Sequence, residues 1–255
     1  MLQSVPTSSG NKTGPLALDH IALVIFDCDG VLIDSEPIAS STLAQSMRAH
    51  GMSITDAQAH AKYTGNAVRI IRRMIEDEFG HPDMDGLFVH WDEMLYAGFA
   101  ERLTPMEGMV ELVRALERPK CVASNSSMYR LERTLGALPL WDAFFPQVYS
   151  ADMVERPKPA PDLMLHCARA FAVAPEDCVM IDDSPHGIEA AVAAGMVGIG
   201  FVDPADQRPG RADVLFSAGA LCVATGAREL PAALIDAGLA LGQRRTSSNR
   251  RAGKA

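Results

Sequence analysis

Four short, almost wholly apolar runs constrain this chain more than any other feature: Ile21–Phe26, Cys121–Ala123, Cys178–Ile181 and Val197–Phe201. Runs of this length with no polar alternation suit strands buried on both faces of a parallel sheet. Between them lie helical patterns. From Pro161 to Phe171 the residues Leu163, Leu165, Cys167, Ala168 and Phe171 recur at helical spacing, and Ser184 to Ala194 opens with Pro185, suited to a first turn. Strands alternating with helices predict an α/β, doubly wound, mainly parallel fold. At 255 residues, 48% hydrophobic and 22% charged, the chain can bury such a core.

One stretch breaks the rhythm. Residues 36–104 carry no strand signal and read as helices near 38–50, 55–62, 66–79 and 84–101, separated by Gly51, Gly65, Gly80 and Pro82. This predicts a small helical domain inserted after the first strand, with the sheet domain formed by residues 20–35 and 105–242. Residues 1–19 are expected to form a flexible polar tail. Residues 243–255, rich in Arg and Ser, are expected to form a second, basic one.

The net charge of −9 argues against nucleic acid as a partner, since such proteins present a basic face. The longest strongly apolar run is too short to cross a bilayer, and the first twenty residues have no apolar segment of signal-peptide type. Five cysteines, odd in number and with no CxxC pair, read as reduced thiols. These features predict a cytoplasmic protein with no membrane association and no obligate protein partner.

Acids stand at the carboxyl ends of two of the apolar runs. Asp27 and Asp29 follow the first, and Asp182 and Asp183 follow the third. Ligands of open parallel sheets bind beyond those strand ends. Neighbouring carboxylates repel each other unless a cation compensates, and oxygen ligands suit magnesium. Each pair alone reads equally as turn or helix-capping carboxylates. The second run is followed by Ser124-Asn125-Ser126-Ser127, whose hydroxyls, amide and N–H groups can hold an anion. Lys158 stands in the proline-stiffened loop Arg156-Pro157-Lys158-Pro159-Ala160-Pro161.

These four elements, in this order, resemble the motifs of the haloacid dehalogenase superfamily over roughly Ile21 to Phe201: FDCDGVLIDSE, ASNSS, RPKPAPD and IDDSPHGIEAAVAAGM. The helical insert is similar to the cap of the subgroup that contains β-phosphoglucomutase. Val122 to Met196 is especially similar to bacterial sugar-phosphate phosphatases such as those acting on 6-phosphogluconate. The resemblance implies a phosphatase acting on a small phosphomonoester, a sugar or sugar-acid phosphate. It implies Asp27 as nucleophile and Asp29 as general acid and base. It implies Mg²⁺ held by the Asp27 carboxylate, the Asp29 backbone carbonyl and the Asp183 carboxylate, with Asp182 next to them. Ser124 and Asn125 would hold the phosphoryl group, Lys158 would neutralise it, and Asp34 would fix the loop leading into the cap. Gly65 and Arg69, in and after the first cap loop, would read the substrate.

The physics suits these roles. A carboxylate meeting a phosphate dianion faces about 4 kcal/mol of repulsion per charge pair at 4 Å and an effective dielectric of 20. A metal ion and Lys158 would offset it. Monoester hydrolysis requires on the order of 20 kcal/mol of catalysis, and a covalent intermediate divides that barrier. Asp29 also separates phosphoester from carbon–halogen cleavage, because an alkoxide leaving group needs a proton and a halide does not. The alternatives are a phosphosugar mutase, which needs a second anion site, and an inactive phosphate-binding module, which would lack one of Asp27, Asp29, Lys158 or Asp183.

Overall fold

The computed structural model describes residues 18–252 apart from Gly65, Ala67 and Gln207. Most of the expected N-terminal tail, and the expected cap residue Gly65, therefore lie outside the described residues.

A six-stranded, fully parallel sheet organises the chain. In sequence order the strands are β1 (Leu23–Phe26), β2 (Lys120–Ser124), β3 (Val148–Ser150), β4 (Cys178–Asp182), β5 (Val197–Val202) and β6 (Cys222–Thr225); in space they run β3-β2-β1-β4-β5-β6. The four apolar runs are its inner strands. The edge strand β3 is only three residues long and carries no comparable run; the edge strand β6 lies in the apolar run Ala220–Ala224, which is partly exposed. The register aligns Phe26 with Val122 on one side and with Ile181 on the other. All three chains therefore leave the sheet at one level, and whatever follows them meets at one edge.

Alternate residues face opposite layers. Val24, Phe26, Val122, Val179 and Ile181 pack with Met109 and Val113 of α5 (Met109–Ala115), Leu131 of α6 (Met128–Arg133), and Leu234 and Ala237 of α11 (Leu230–Ala252). Phe26 meets the edge of Phe144, in the short α7 (Trp141–Phe144), at 5.6 Å between ring centroids. Leu23, Ile25, Cys121, Ala123 and Met180 face the other way, toward α8 (Asp162–Ala170) and α9 (Pro185–Ala193). Helix α10 (Arg211–Ser217) packs beside β5 and β6. Burying each large apolar side chain on these faces contributes roughly 2 kcal/mol.

The segment without strand signals folds as α1 (Glu36–Ala49), α2 (Asp56–Tyr63), α3 (Val68–Phe79) and α4 (Met84–Arg102). Its hydrophobic cluster is its own: Leu43, Met47, Tyr63, Ile75, Leu87, Trp91 and Phe99. A capping box of Thr55 and Gln58 starts α2, and Asp83 caps α4 through the Gly86 N–H. The chain leaves and re-enters the sheet layer at one place. Met106 N–H donates to the Leu32 carbonyl and Asp34 N–H to the Thr104 carbonyl, both at 3.0 Å. Asp34 thus braces this crossing, as expected of it.

The basic segment from Gln243 departs from expectation. Instead of a loose tail, α11 continues through it to Ala252. Arg245 pairs with Asp177, which precedes β4, so the end of that helix is fastened to the sheet layer.

Candidate active site

The site grows from the aligned strand ends. The Asp27 N–H donates to the Ile181 carbonyl at 2.9 Å, which carries the β1–β4 ladder one residue past the strand. The chain then turns sharply: the Cys28 carbonyl accepts from Leu32 and Ile33, and Gly30 N–H donates back to the Ile33 carbonyl at 3.0 Å. Gly30 adopts φ +79°, and a Cβ there would fall 2.6 Å from Asp183 Oδ2. Glycine is required on both counts.

Lys158 lies at the centre of the charges. Its Nζ donates to Asp27 Oδ1 at 2.7 Å and to Asp182 Oδ2 at 2.8 Å, and its side chain is 3% exposed. The amide of Asn125 reads the Lys158 backbone from both sides: Nδ2 donates to the carbonyl and Oδ1 accepts from the N–H, each at 3.0 Å. The expected role of Asn125 in holding the phosphoryl group would therefore fall to its backbone N–H and not its amide. Its amide orients the lysine loop, instead of facing an anion. Ser124 is buried, and its Oγ accepts from the Ser126 N–H at 3.1 Å, which leaves its own hydroxyl proton to donate.

Asp27, Asp182 and Asp183 present oxygens that all lie within 4.8 Å of one another. Burial pushes the Asp27 carboxyl up to about 7, with Asp182 adding to the rise and Lys158 opposing it. Burial and the same neighbouring acids raise Asp183 well above the carboxylate range. Lys158 is driven the other way: burial favours its neutral form, but Asp182 and Asp27 outweigh that and hold it protonated. Lys158 is paired with Asp27 and Asp182, and Arg211 lies 3.7 Å from Asp183, so three buried acids share two cations, and the all-oxygen donor set fits a hard divalent cation.

The Asp29 carboxylate does not join that cluster. It turns toward Ser35 Oγ (2.6 Å), Ser126 Oγ (2.9 Å) and Arg130 Nη2 (2.9 Å), all of which donate to it. Burial opposes its ionisation, but Arg130 and the two hydroxyls prevail and hold its carboxyl below the usual value. The one metal ligand expected from Asp29 is its backbone carbonyl, and these side-chain contacts do not engage it. Arg211 approaches Asp183 from behind, donating to its carbonyl at 2.6 Å and also pairing with Asp206. Arg208 joins Asp206 to Glu36 at the start of α1.

Between the four helices and Arg130 lies an open cavity of about 130 Å³, lined by Glu36, Ser40, Tyr63, Thr64, Asn66 and Arg130 among others. Arg69 is not part of its lining. It is exposed on α3, two residues from the buried Ile71 and hence about 200° around the helix. Ser126 was expected among the anion donors and instead holds Asp29; Ser35, Arg130, Arg208 and Arg211 were not foreseen. Their roles depend on which elements meet across the fold, and no local spacing marks them.

Comparison with known proteins agrees with this arrangement. A family profile for haloacid dehalogenase-like hydrolases matches residues 21–195. The chain is 29% identical over 194 residues to 6-phosphogluconate phosphatase of Escherichia coli, covering 75% of this chain and 87% of that protein. Among solved structures, a conserved haloacid dehalogenase-like protein of unknown function from Agrobacterium tumefaciens is 36% identical. It superposes with a TM-score of 0.75, covering 83% of this chain and 96% of its own. A haloacid dehalogenase family hydrolase from Deinococcus radiodurans, solved with bound phosphate and sodium, is 31% identical with a TM-score of 0.73, covering 86% and 97%. With more than half its length matched by the family profile and its four motif loops converging on one sheet edge, the chain belongs to the haloacid dehalogenase-like hydrolases.

Proposed function

We propose that this protein is a Mg²⁺-dependent phosphatase that hydrolyses a small phosphomonoester, a sugar or sugar-acid phosphate, through a phospho-aspartate on Asp27. The observation that carries this reading is Lys158 Nζ bridging Asp27 and Asp182 beside a third acid, Asp183, at one strand edge. The named sugar-phosphate phosphatase among its relatives favours the same chemistry.

In the first half-reaction an Asp27 carboxylate oxygen attacks phosphorus. The bond from phosphorus to the ester oxygen breaks, and the departing alkoxide takes a proton from Asp29, which must first be protonated and turned away from Arg130, Ser35 and Ser126, since those donors hold it ionised at rest. In the second half, water attacks phosphorus, gives a proton to Asp29, and the bond between phosphorus and Asp27 breaks. Asp29 thereby regains the proton it donates in the next turnover. Ser124 donates its hydroxyl to a phosphoryl oxygen, and Lys158, steered by Asn125, neutralises the charge between nucleophile and substrate. Asp27, Asp183 and the Asp29 backbone carbonyl, with Asp182 adjacent, are the groups that would hold Mg²⁺, which supplies further positive charge at the transferred phosphoryl group. The four-helix unit closes over the bound substrate and limits the water that reaches the phospho-aspartate.

The test is phosphate release from p-nitrophenyl phosphate and from a panel of hexose, pentose and sugar-acid phosphates, with and without Mg²⁺. Wild type should turn over, and Asp27→Asn should lose at least about a thousandfold, as expected when a nucleophile is removed. Equal rates in the two proteins would sink the mechanism. Conversion of glucose 1-phosphate to glucose 6-phosphate faster than phosphate release would replace the phosphatase with a mutase.

A further inference from the structure

We infer that Arg130 is the site's second anion receptor, selecting phosphomonoesters whose alcohol portion carries a carboxylate. This rests on the phosphatase reading and names its substrate class. Arg130 stands in α6, behind the Ser127 N-cap, and reaches the boundary between the sheet layer and the four-helix unit. Its guanidinium carbon lies 5.1 Å from the centroid of the Phe99 ring of α4, so the fork rests on an aromatic face across that boundary. Nη2 donates to Asp29, while Nε is buried with no hydrogen-bond partner. A buried guanidinium donor with no acceptor is uncommon, because leaving it unmade costs stability.

Three further observations give that donor a purpose. Arg130 is the only cationic side chain among the described residues lining the cavity, and the one acid there, Glu36, is engaged by Arg208 at 3.2 Å. Asp29 is also held by the hydroxyls of Ser35 and Ser126, so its placement does not depend on Arg130 alone. Finally, in the proposed reaction Asp29 stands beside the leaving oxygen, and Arg130 touches Asp29. The guanidinium therefore lies about one side chain beyond the reacting centre, on the alcohol's side. With Nη2 donating one hydrogen to Asp29 and Nε buried, the end of the guanidinium formed by Nη1 and the second Nη2 hydrogen is the part that can meet a carboxylate in two parallel hydrogen bonds.

The test compares two substrates with the same six-carbon chain, 6-phosphogluconate and sorbitol 6-phosphate, which differ by a carboxylate in place of a hydroxymethyl group. Wild type should prefer the carboxylate by roughly 10–100-fold in kcat/KM, the range of one charge-assisted bidentate contact. The preference should reside mainly in KM. In Arg130→Gln the ratio should collapse toward one, and Arg130→Lys should restore part of it. A general loss of folding or of chemistry lowers both substrates together and leaves the ratio intact. A wild-type ratio near one, or a ratio unchanged in Arg130→Gln, overturns the inference while leaving a phosphatase in place. Absence of phosphate release even from p-nitrophenyl phosphate removes the phosphatase reading instead. In that case calorimetric binding of the same two compounds still decides whether Arg130 discriminates them.

Discussion

Replacing Lys158 with methionine, similar in length and without charge, probes the balance of charges at the strand edge. In the metal-free protein, Lys158 Nζ is the only cation among the described residues in hydrogen-bonding contact with Asp27 and Asp182, at 2.7 and 2.8 Å, and both acids are buried. Removing one partner of a buried ion pair costs about 3–5 kcal/mol, because the remaining charge is neither solvated nor paired. For a chain of this size that is a fall in Tm of roughly 10 °C. The loss should depend on pH. Asp27 already titrates near 7 with the lysine present, and without it the carboxyl must rise further. At pH 5 the Asp27 carboxyl is protonated in both proteins and the gap between them is smaller. At pH 8 wild-type Asp27 is ionised against Lys158, and the gap reaches its full value. Differential scanning calorimetry in EDTA at both pH values reads this directly. A difference below about 1 kcal/mol at pH 8, or a gap larger at pH 5 than at pH 8, would refute the assignment of Lys158 as the counter-charge.

Wild-type stability in EDTA should itself fall as pH rises through 4 to 7. A folded pKa near 7 against an ordinary value of 3.8 means that the stability associated with protonated Asp27 is complete below about 4 and lost above 7, by about 4 kcal/mol. Mg²⁺ should accordingly raise Tm more at pH 8 than at pH 5, and a Tm shift that is equal at the two values would contradict the acidic cluster as its site. Gly30→Ala places a Cβ 2.6 Å from Asp183 Oδ2 at φ +79°. It should lower stability by about 1–3 kcal/mol and weaken Mg²⁺ binding by titration calorimetry, and unchanged Mg²⁺ affinity would show that Asp183 does not hold the ion.

The inner sheet and the acids that leave it were readable in the sequence for one reason: both depend on local pattern. Continuous apolar runs mark strands shielded on two faces, and Asp27, Ser124 and Asp183 sit at the ends of those runs. β3 left no signal because it is only three residues long, whereas β6 lay in the apolar run Ala220–Ala224, as long as the inner runs, and was not singled out. Arg69 was plausible by position, yet helical phase alone put it in solvent beside the buried Ile71. Arg130 was the converse case, an ordinary helical arginine until tertiary packing set it between Asp29 and Phe99. Asn125 carried the expected chemistry but met the Lys158 backbone first, an encounter fixed by how two loops cross and not by either loop's sequence. The segment from Gln243 looked too polar for order, and its helical course follows from continuing α11, whose earlier turns are anchored by Leu234 and Ala237.

The crossing at Leu32–Asp34 and Thr104–Met106 has a consequence for how such a protein changes over generations. Two backbone hydrogen bonds lace the outgoing and returning chains together, so the sheet meets the 36–102 segment as if it were one long loop with its ends already joined. The entropy of closing a loop grows only with the logarithm of its length. Helices can therefore be added to that segment, removed or exchanged at little cost to the sheet. Selection can redraw the walls of the cavity while Asp27, Lys158 and Asp183 stay where β1, the proline loop and β4 put them.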